Sequence, residues 1–179
     1  MDQDKQIIYN ILNGQKEQYR HLVNKYQKPV FKVIYRIVGD YEETREVSQE
    51  TFVKIYTSLS QYKDEYKFFS WLYRTAINCA LVHVKNKKQY TPIDEVSNSS
   101  SFVEEHVDKE ARRRLICKSI NELPEKYRAV IALKYYANMS YQEIANTIGI
   151  PEKKVKSRLF DARKLLKNLL VKTDVLNMQ

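Results

Sequence analysis

Residues 140–159 read SYQEIANTIGIPEKKVKSRL, and this stretch leaves few folds open. Ser140 with Glu143 three residues later forms a capping box, which satisfies orphan amides reciprocally and marks a helix start. Ala145 stands four residues before Gly149, and Val155 six residues after it. That is the spacing of a helix-turn-helix. A small residue lets the second helix cross close to the first, glycine accepts the left-handed turn, and a β-branched apolar residue anchors the second helix. Ile144, Ile148, Val155 and Leu159 supply the apolar seam. The outward face of the second helix is expected to carry Lys153, Lys154, Lys156, Ser157 and Arg158, chemistry suited to phosphates and base edges. The alternative is a helical hairpin with a solvated basic face.

The rest of the chain points to the same class. Only three glycines and four prolines occur in 179 residues, and long alternating β-branched runs are missing, so the fold should be all-α. The formal net charge of +9 calls for a polyanionic partner. No apolar stretch approaches the ~20 residues of a membrane span. The opening MDQDKQIIYN lacks the basic-then-apolar order of a signal peptide, so a cytoplasmic chain without membrane insertion is expected. Cys79 and Cys117 make no metal-type or redox-type pair and read as free thiols in helical patterns.

Charge divides the chain. Residues 1–90 hold 15 Lys and Arg against 10 Asp and Glu; residues 91–110 hold one against six; residues 111–179 hold 15 against six. Two basic domains, 1–90 and 111–179, are therefore expected to flank an acidic flexible linker, 91–110, whose TPIDEVSNSSS run has linker composition. Within the first, helical periodicity runs through Tyr19, Leu22, Val23 and Tyr26 and resumes after Pro29 with Val30, Phe31, Ile34 and Ile37. Further helices are expected over about 42–59 and 69–87, with a polar loop at Gln61–Lys67 between them.

Two constellations stand out in the first block. Glu43, Glu46 and Glu50 share a helical face at i, i+3 and i+7, with Gln49 beside it. The face is a solvated helix whose early acids favour the positive dipole end, a docking surface for a basic protein, or a carboxylate metal site. The second constellation is YKFFSWLY at 66–73, followed by Arg74, Asn78, Lys85, Lys87 and Lys88. Aromatics beside a basic helix can stack unpaired bases while neutralising their backbone. Phe69, Trp71 and Leu72 read equally well as core. Tyr62, Tyr66 and Phe68, in or beside the polar loop, are the better candidates for base contact. Enzyme signals are poor: three glycines make no phosphate-cradling loop, and His21, His83 and His106 stand apart, so neither cofactor nor metal is expected.

Three segments, in order, resemble the bacterial extracytoplasmic-function (ECF) sigma factors. GDYEETREVSQETFVKIY at 39–56 resembles the helix with a Q-E-T-F signature that binds the clamp helices of the polymerase β′ subunit. FFSWLYRTAINCALVHVKNKK at 68–88 resembles the helix that melts and reads the downstream promoter element. LPEKYRAVIALKYYANMSYQEIANTIGIPEKKVKSRLFDARKLL at 123–166 resembles the domain that reads the upstream element. The resemblance implies that Glu46, Gln49, Glu50 and Phe52 meet core RNA polymerase. It implies that Asn78 and Val82 face downstream bases, and that Lys153, Lys154, Lys156, Ser157 and Arg158 enter the upstream major groove. It also implies an anti-sigma partner. The chain departs from the family's habits at Val82, where a polar residue is frequent, and at Lys154, where threonine is common. Two other functions remain to be distinguished: a stand-alone helix-turn-helix regulator, and a metal-dependent nuclease using the acids at 40–50.

Overall fold

The computed structural model describes residues 3–65, 67–90 and 115–177, with side chains described as far as Lys87 in the second stretch and Val171 in the third. Every regular element among them is helical. The expected linker, residues 91–110, lies outside the described residues.

Helix α1, Gln3–Leu12, turns Ile8 and Ile11 inward. It also buries Asp4, whose carboxylate accepts from Lys25 at 2.6 Å and from the Tyr26 hydroxyl, so a buried charge is paired rather than stranded. Helix α2, Tyr19–Val38, runs unbroken through Pro29, where the sequence suggests an interruption. Proline removes one backbone donor and costs roughly 3 kcal/mol in a helix interior. Against it stand six buried side chains, Leu22, Tyr26, Val30, Val33, Ile34 and Ile37, on one stripe. At roughly 1.5–3 kcal/mol for each buried apolar side chain, packing wins. Gly39 ends α2 at φ 90°, its N–H bonded to the Tyr35 carbonyl, a left-handed cap that suits glycine.

Asp40 then caps α3, Tyr41–Thr57, accepting from the Glu43 amide at 2.9 Å. The inner face of α3 is Thr44, Val47, Ser48, Thr51 and Ile55. Its hydroxyls bond carbonyls of the preceding turn, Ser48 to Thr44 at 2.6 Å and Thr51 to Val47 at 2.7 Å, so they are buried without an unsatisfied donor. Helix α4, Phe68–Tyr90, buries Phe68, Leu72, Tyr73, Ala76, Ile77, Ala80 and Val84 against α2 and α3.

The second group begins with α5 at residues 115–121 and continues with α6, Glu125–Tyr135, α7, Tyr141–Ile148, and α8, Glu152–Asn177. Helices α6, α7 and α8 pack on one another. The two groups also touch: α6 lies on α2, α7 lies on α4, and their buried residues form one continuous cluster from Ile8 to Ala162.

Candidate nucleic-acid and partner interface

The helix-turn-helix forms as its spacing requires. Ser140 and Glu143 make both halves of the capping box, and Gly149 stands at φ 69° with its amide on the Ala145 carbonyl at 2.9 Å. Ala145 is buried at the crossing, and Val155 and Leu159 are buried beneath it. The Pro151 carbonyl accepts from Lys154 and Val155 at 2.8 and 3.1 Å, opening α8. Lys153, Lys154, Lys156 and Ser157 are exposed on its first turns. Lys156 is bridged to Glu152 at 2.6 Å, and that hydrogen bond holds its ammonium above the ordinary lysine range. Arg158 corrects the expectation of a uniformly outward basic face. It lies three residues after the anchor Val155 and next to buried Leu159, so it is half-buried. It lines a cleft with Arg74, Ile77, Asn78 and Leu81 of α4, and its Nε has no hydrogen-bond partner among the described residues.

On α4, Arg74, Asn78, Val82 and Lys85 are exposed and follow one another around a single stripe. Val82 is 56% exposed, an apolar group held in solvent on a basic helix. Lys87 points elsewhere: it bonds Glu43 of α3, and His83 reaches the same carboxylate at 2.9 Å. Burial pushes the Glu43 carboxyl up, but the bonds from Lys87 and His83 outweigh it and hold the group below the ordinary carboxylate range. The side chain of Lys88 lies outside the described residues.

The loop aromatics divide. Phe68 is 1% exposed, locked between Tyr26 at 5.7 Å and Tyr62 at 5.8 Å between ring centroids, so it is core and cannot stack on a base. The sequence placed it at the loop edge, whereas α4 begins at Phe68 and its first turn faces inward. Tyr62 is half-buried against Trp71, centroids 5.6 Å apart, leaving one flank at the surface. Tyr66 lies outside the described residues.

On α3, Glu46, Gln49 and Glu50 are exposed and Phe52 is half-buried. Glu43 is not part of that face: it is four residues before buried Val47 and is turned toward α4. Glu42 and Glu50 are each bridged along the helix, to Arg45 at 2.9 Å and Lys54 at 2.6 Å. Among the described residues no cluster of three or more His, Cys, Asp or Glu could hold a metal ion. Beside Glu50 the face continues into a shallow apolar groove formed by Tyr19, Val23, Phe52, Val53 and Tyr56. Val53 is 62% exposed, and the Tyr19 hydroxyl donates to the Phe52 carbonyl at 2.7 Å. Sequence reasoning missed Val53 and Tyr56. The signal was there, because Glu46, Gln49, Val53 and Tyr56 follow i, i+3, i+7 and i+10, a mixed acidic and apolar stripe.

No described helix is long and apolar enough to cross a membrane. The profile described as Sigma-70 region 2 matches residues 22–90, and the one described as Sigma-70, region 4 matches residues 113–166. The RNA polymerase sigma-H factor of Pseudomonas aeruginosa is 31% identical over 94% of this chain and 94% of its own length. The ECF RNA polymerase sigma factor SigW of Bacillus subtilis is 28% identical over 93% of this chain and 96% of that protein. In fold the chain is similar to CnrH, solved in complex with the cytosolic domain of CnrY, at a TM-score of 0.74 and 20% identity over 96% of this chain and 99% of that one. It is also similar to RpoE of Bartonella quintana, solved with the anti-sigma factor NepR, at a TM-score of 0.70 and 16% identity over 86% of this chain and 97% of that one. With both region profiles in order and a full-length relative above 30% identity, the chain belongs to the sigma-70 family of RNA polymerase sigma factors, in its extracytoplasmic-function class.

Proposed function

We propose that this chain directs core RNA polymerase to specific promoters and assists initiation by capturing melted DNA. One observation carries the proposal: two exposed basic helix faces, on α4 and at the start of α8, share a chain with a third exposed face on α3 that is acidic and apolar. An acidic face on a protein of net charge +9 suits a basic protein partner rather than DNA. The α3 face, Glu46, Gln49, Glu50 and Phe52 with Val53 and Tyr56, docks on the clamp helices of β′. Arg74, Asn78, Val82 and Lys85 read the downstream element, with Lys87 and Lys88 following on the same helix. Tyr62 and Tyr66 hold an extruded base, because stacking of roughly 1–3 kcal/mol per base offsets the few kcal/mol of unstacking. Lys153, Lys154, Lys156 and Ser157 enter the upstream major groove, with the half-buried Arg158 beside them.

Residues 1–90 and 111–179 serve as the two recognition domains and 91–110 as an acidic tether, which raises the effective concentration of the second contact once the first is made. The chain works in the cytoplasm by binding alone, without a catalytic site, and its solved structural neighbours CnrH and RpoE, each with a bound partner, support an anti-sigma factor as a further partner. The test is promoter-fragment binding by free chain, core polymerase and the two mixed. Specific binding by the mixture alone is expected; tight palindrome-specific binding by the free chain would favour the stand-alone regulator. Metal-dependent DNA cleavage by the pure chain would favour the nuclease.

A further inference from the structure

Tyr62 stands on a short loop, and a loop holds a ring only as well as its ends are fixed. The residue follows the 3₁₀ turn Leu59–Gln61, and its amide donates to the Leu59 carbonyl at 3.1 Å. Leu59 is buried, but Gln61, Lys63, Asp64 and Glu65 are all exposed, so the loop beyond the turn has little packing of its own. Its support comes from α1. That helix lies against the 3₁₀ turn. Lys5 of α1, 59 residues earlier in the chain, donates from Nζ to the Asp64 carbonyl. Tyr62 is therefore bracketed: α1 backs the turn before it, and Lys5 ties the main chain after it.

Asp4 holds α1 in that place. It is 4% exposed, and its carboxylate accepts from Lys25 of α2 at 2.6 Å and from the Tyr26 hydroxyl. A buried carboxylate persists only when it is paired and bonded, so these partners set how α1 lies on α2. The neighbouring Lys5 is thereby aimed at the loop. The Tyr26 ring carries the contact onward. It meets Phe68 with centroids 5.7 Å apart, and Phe68 meets Tyr62 at 5.8 Å with the planes at 86°. The inner flank of Tyr62 thus rests on a wall that begins at Asp4. Packing alone would hold α1 through Ile8 and Ile11, with no need for an acid in the core or a lysine on the loop.

We infer that Asp4 and Lys5 are positioning residues for strand capture: through Tyr26 and the Asp64 carbonyl they hold the loop so that Tyr62 is in place before a base leaves the duplex. A ring placed beforehand loses less freedom when it stacks, so more of the stacking energy offsets unpairing. The capture step rests on the function proposed above; the tie between α1 and the loop does not.

Hydrogen exchange on the free, full-length chain tests the tie. Lys5→Ala removes it and leaves Asp4, Ile8 and Ile11 in place. The Gln61 and Tyr62 amides, bonded to the Ser58 and Leu59 carbonyls, should then exchange about fivefold faster, the scale of one exposed charge-assisted hydrogen bond, while α3 amides and the melting temperature hold. Unchanged exchange at both amides would overturn the inference. Permanganate reactivity of promoter thymines, read with core polymerase on a fragment that yields a run-off transcript, tests the capture. Lys5→Ala should keep co-purification and lower reactivity about fivefold, by the same hydrogen bond, and Lys5→Arg should restore most of it. In a Tyr62→Ala background Lys5→Ala should lower reactivity no further, because both act through one ring. Full reactivity in Lys5→Ala, or losses that multiply in the double variant, would overturn the inference. Asp4→Asn, nearly equal in volume, should repeat the Lys5→Ala pattern; a loss shared equally by melting temperature, co-purification and opening would make Asp4 a residue of the fold alone. Faster exchange in Lys5→Ala together with no reactive thymine from the unaltered chain would sink strand capture and leave the tie standing.

Discussion

The Glu43 carboxylate joins α3 to α4 by accepting from His83 and Lys87, and its pKa is depressed. A depressed carboxyl contributes its stability fully above the unfolded value, about 4.3, and loses it as pH falls through the folded one. Glu43→Gln should therefore lower the melting temperature by a few degrees at pH 7, consistent with about 1 kcal/mol for a partly exposed pair, and change it little at pH 3. Thermal melts at the two pH values check this, and an equal loss at both would point to packing instead. Asn78 offers both a donor and an acceptor, so Asn78→Ala should change which downstream bases are accepted while leaving polymerase binding intact. Transcription from a panel of downstream variants reads that change. At this scale the sequence was legible where a residue acts on its own backbone, as Ser140, Glu143 and Gly149 do. It was misleading where neighbours decide. Phe68 is core because the first turn of α4 faces Tyr26, Arg158 turns inward because it follows Val155 by three residues, and Glu43 leaves the acidic face because α4 supplies its partners.

Helix α3 presents opposite chemistries to its two sides. Beside Val47 and Ile55 its buried side holds three short hydroxylated residues, Thr44, Ser48 and Thr51, bonded to their own helix, which hydrophobic periodicity undercounts, so its outward face could not be fixed from Glu spacing alone. Reversing charge at Glu46 and Glu50 should abolish co-purification with polymerase, while the helical circular dichroism stays unchanged, because exposed substitutions rarely cost more than about 0.5 kcal/mol. Tyr56→Ala should weaken the same binding through the apolar groove. Retained co-purification in the double reversal would mean these acids only solvate α3. On α8, Lys156→Ala separates two roles. A base contact should relax specificity at one upstream position at about 1–3 kcal/mol, whereas a phosphate contact should weaken all upstream sequences alike and flatten the salt dependence. Helix α2 gives the reverse lesson: Pro29 reads as a break, and only the six buried side chains of one stripe reveal why the helix continues.

In the whole molecule, charge segregation and the order of motifs were legible, whereas the packing of α6 on α2 and of α7 on α4 was not. That seam joins residues far apart in sequence through single polar contacts such as Arg128 to Ile37 and Lys67 to Glu143, which no local pattern announces. A chain of net charge +9 with exposed basic faces should bind DNA by itself weakly and salt-sensitively, through phosphate contacts alone. The central claim is that this chain gives core polymerase its promoter. Run-off transcription on genomic fragments tests it most directly, with core polymerase alone, with the chain added, and with the Glu46→Lys, Glu50→Lys double variant added. Discrete transcripts that appear only with the unaltered chain are predicted. The same transcripts from core polymerase alone, or none with the chain present, would contradict it.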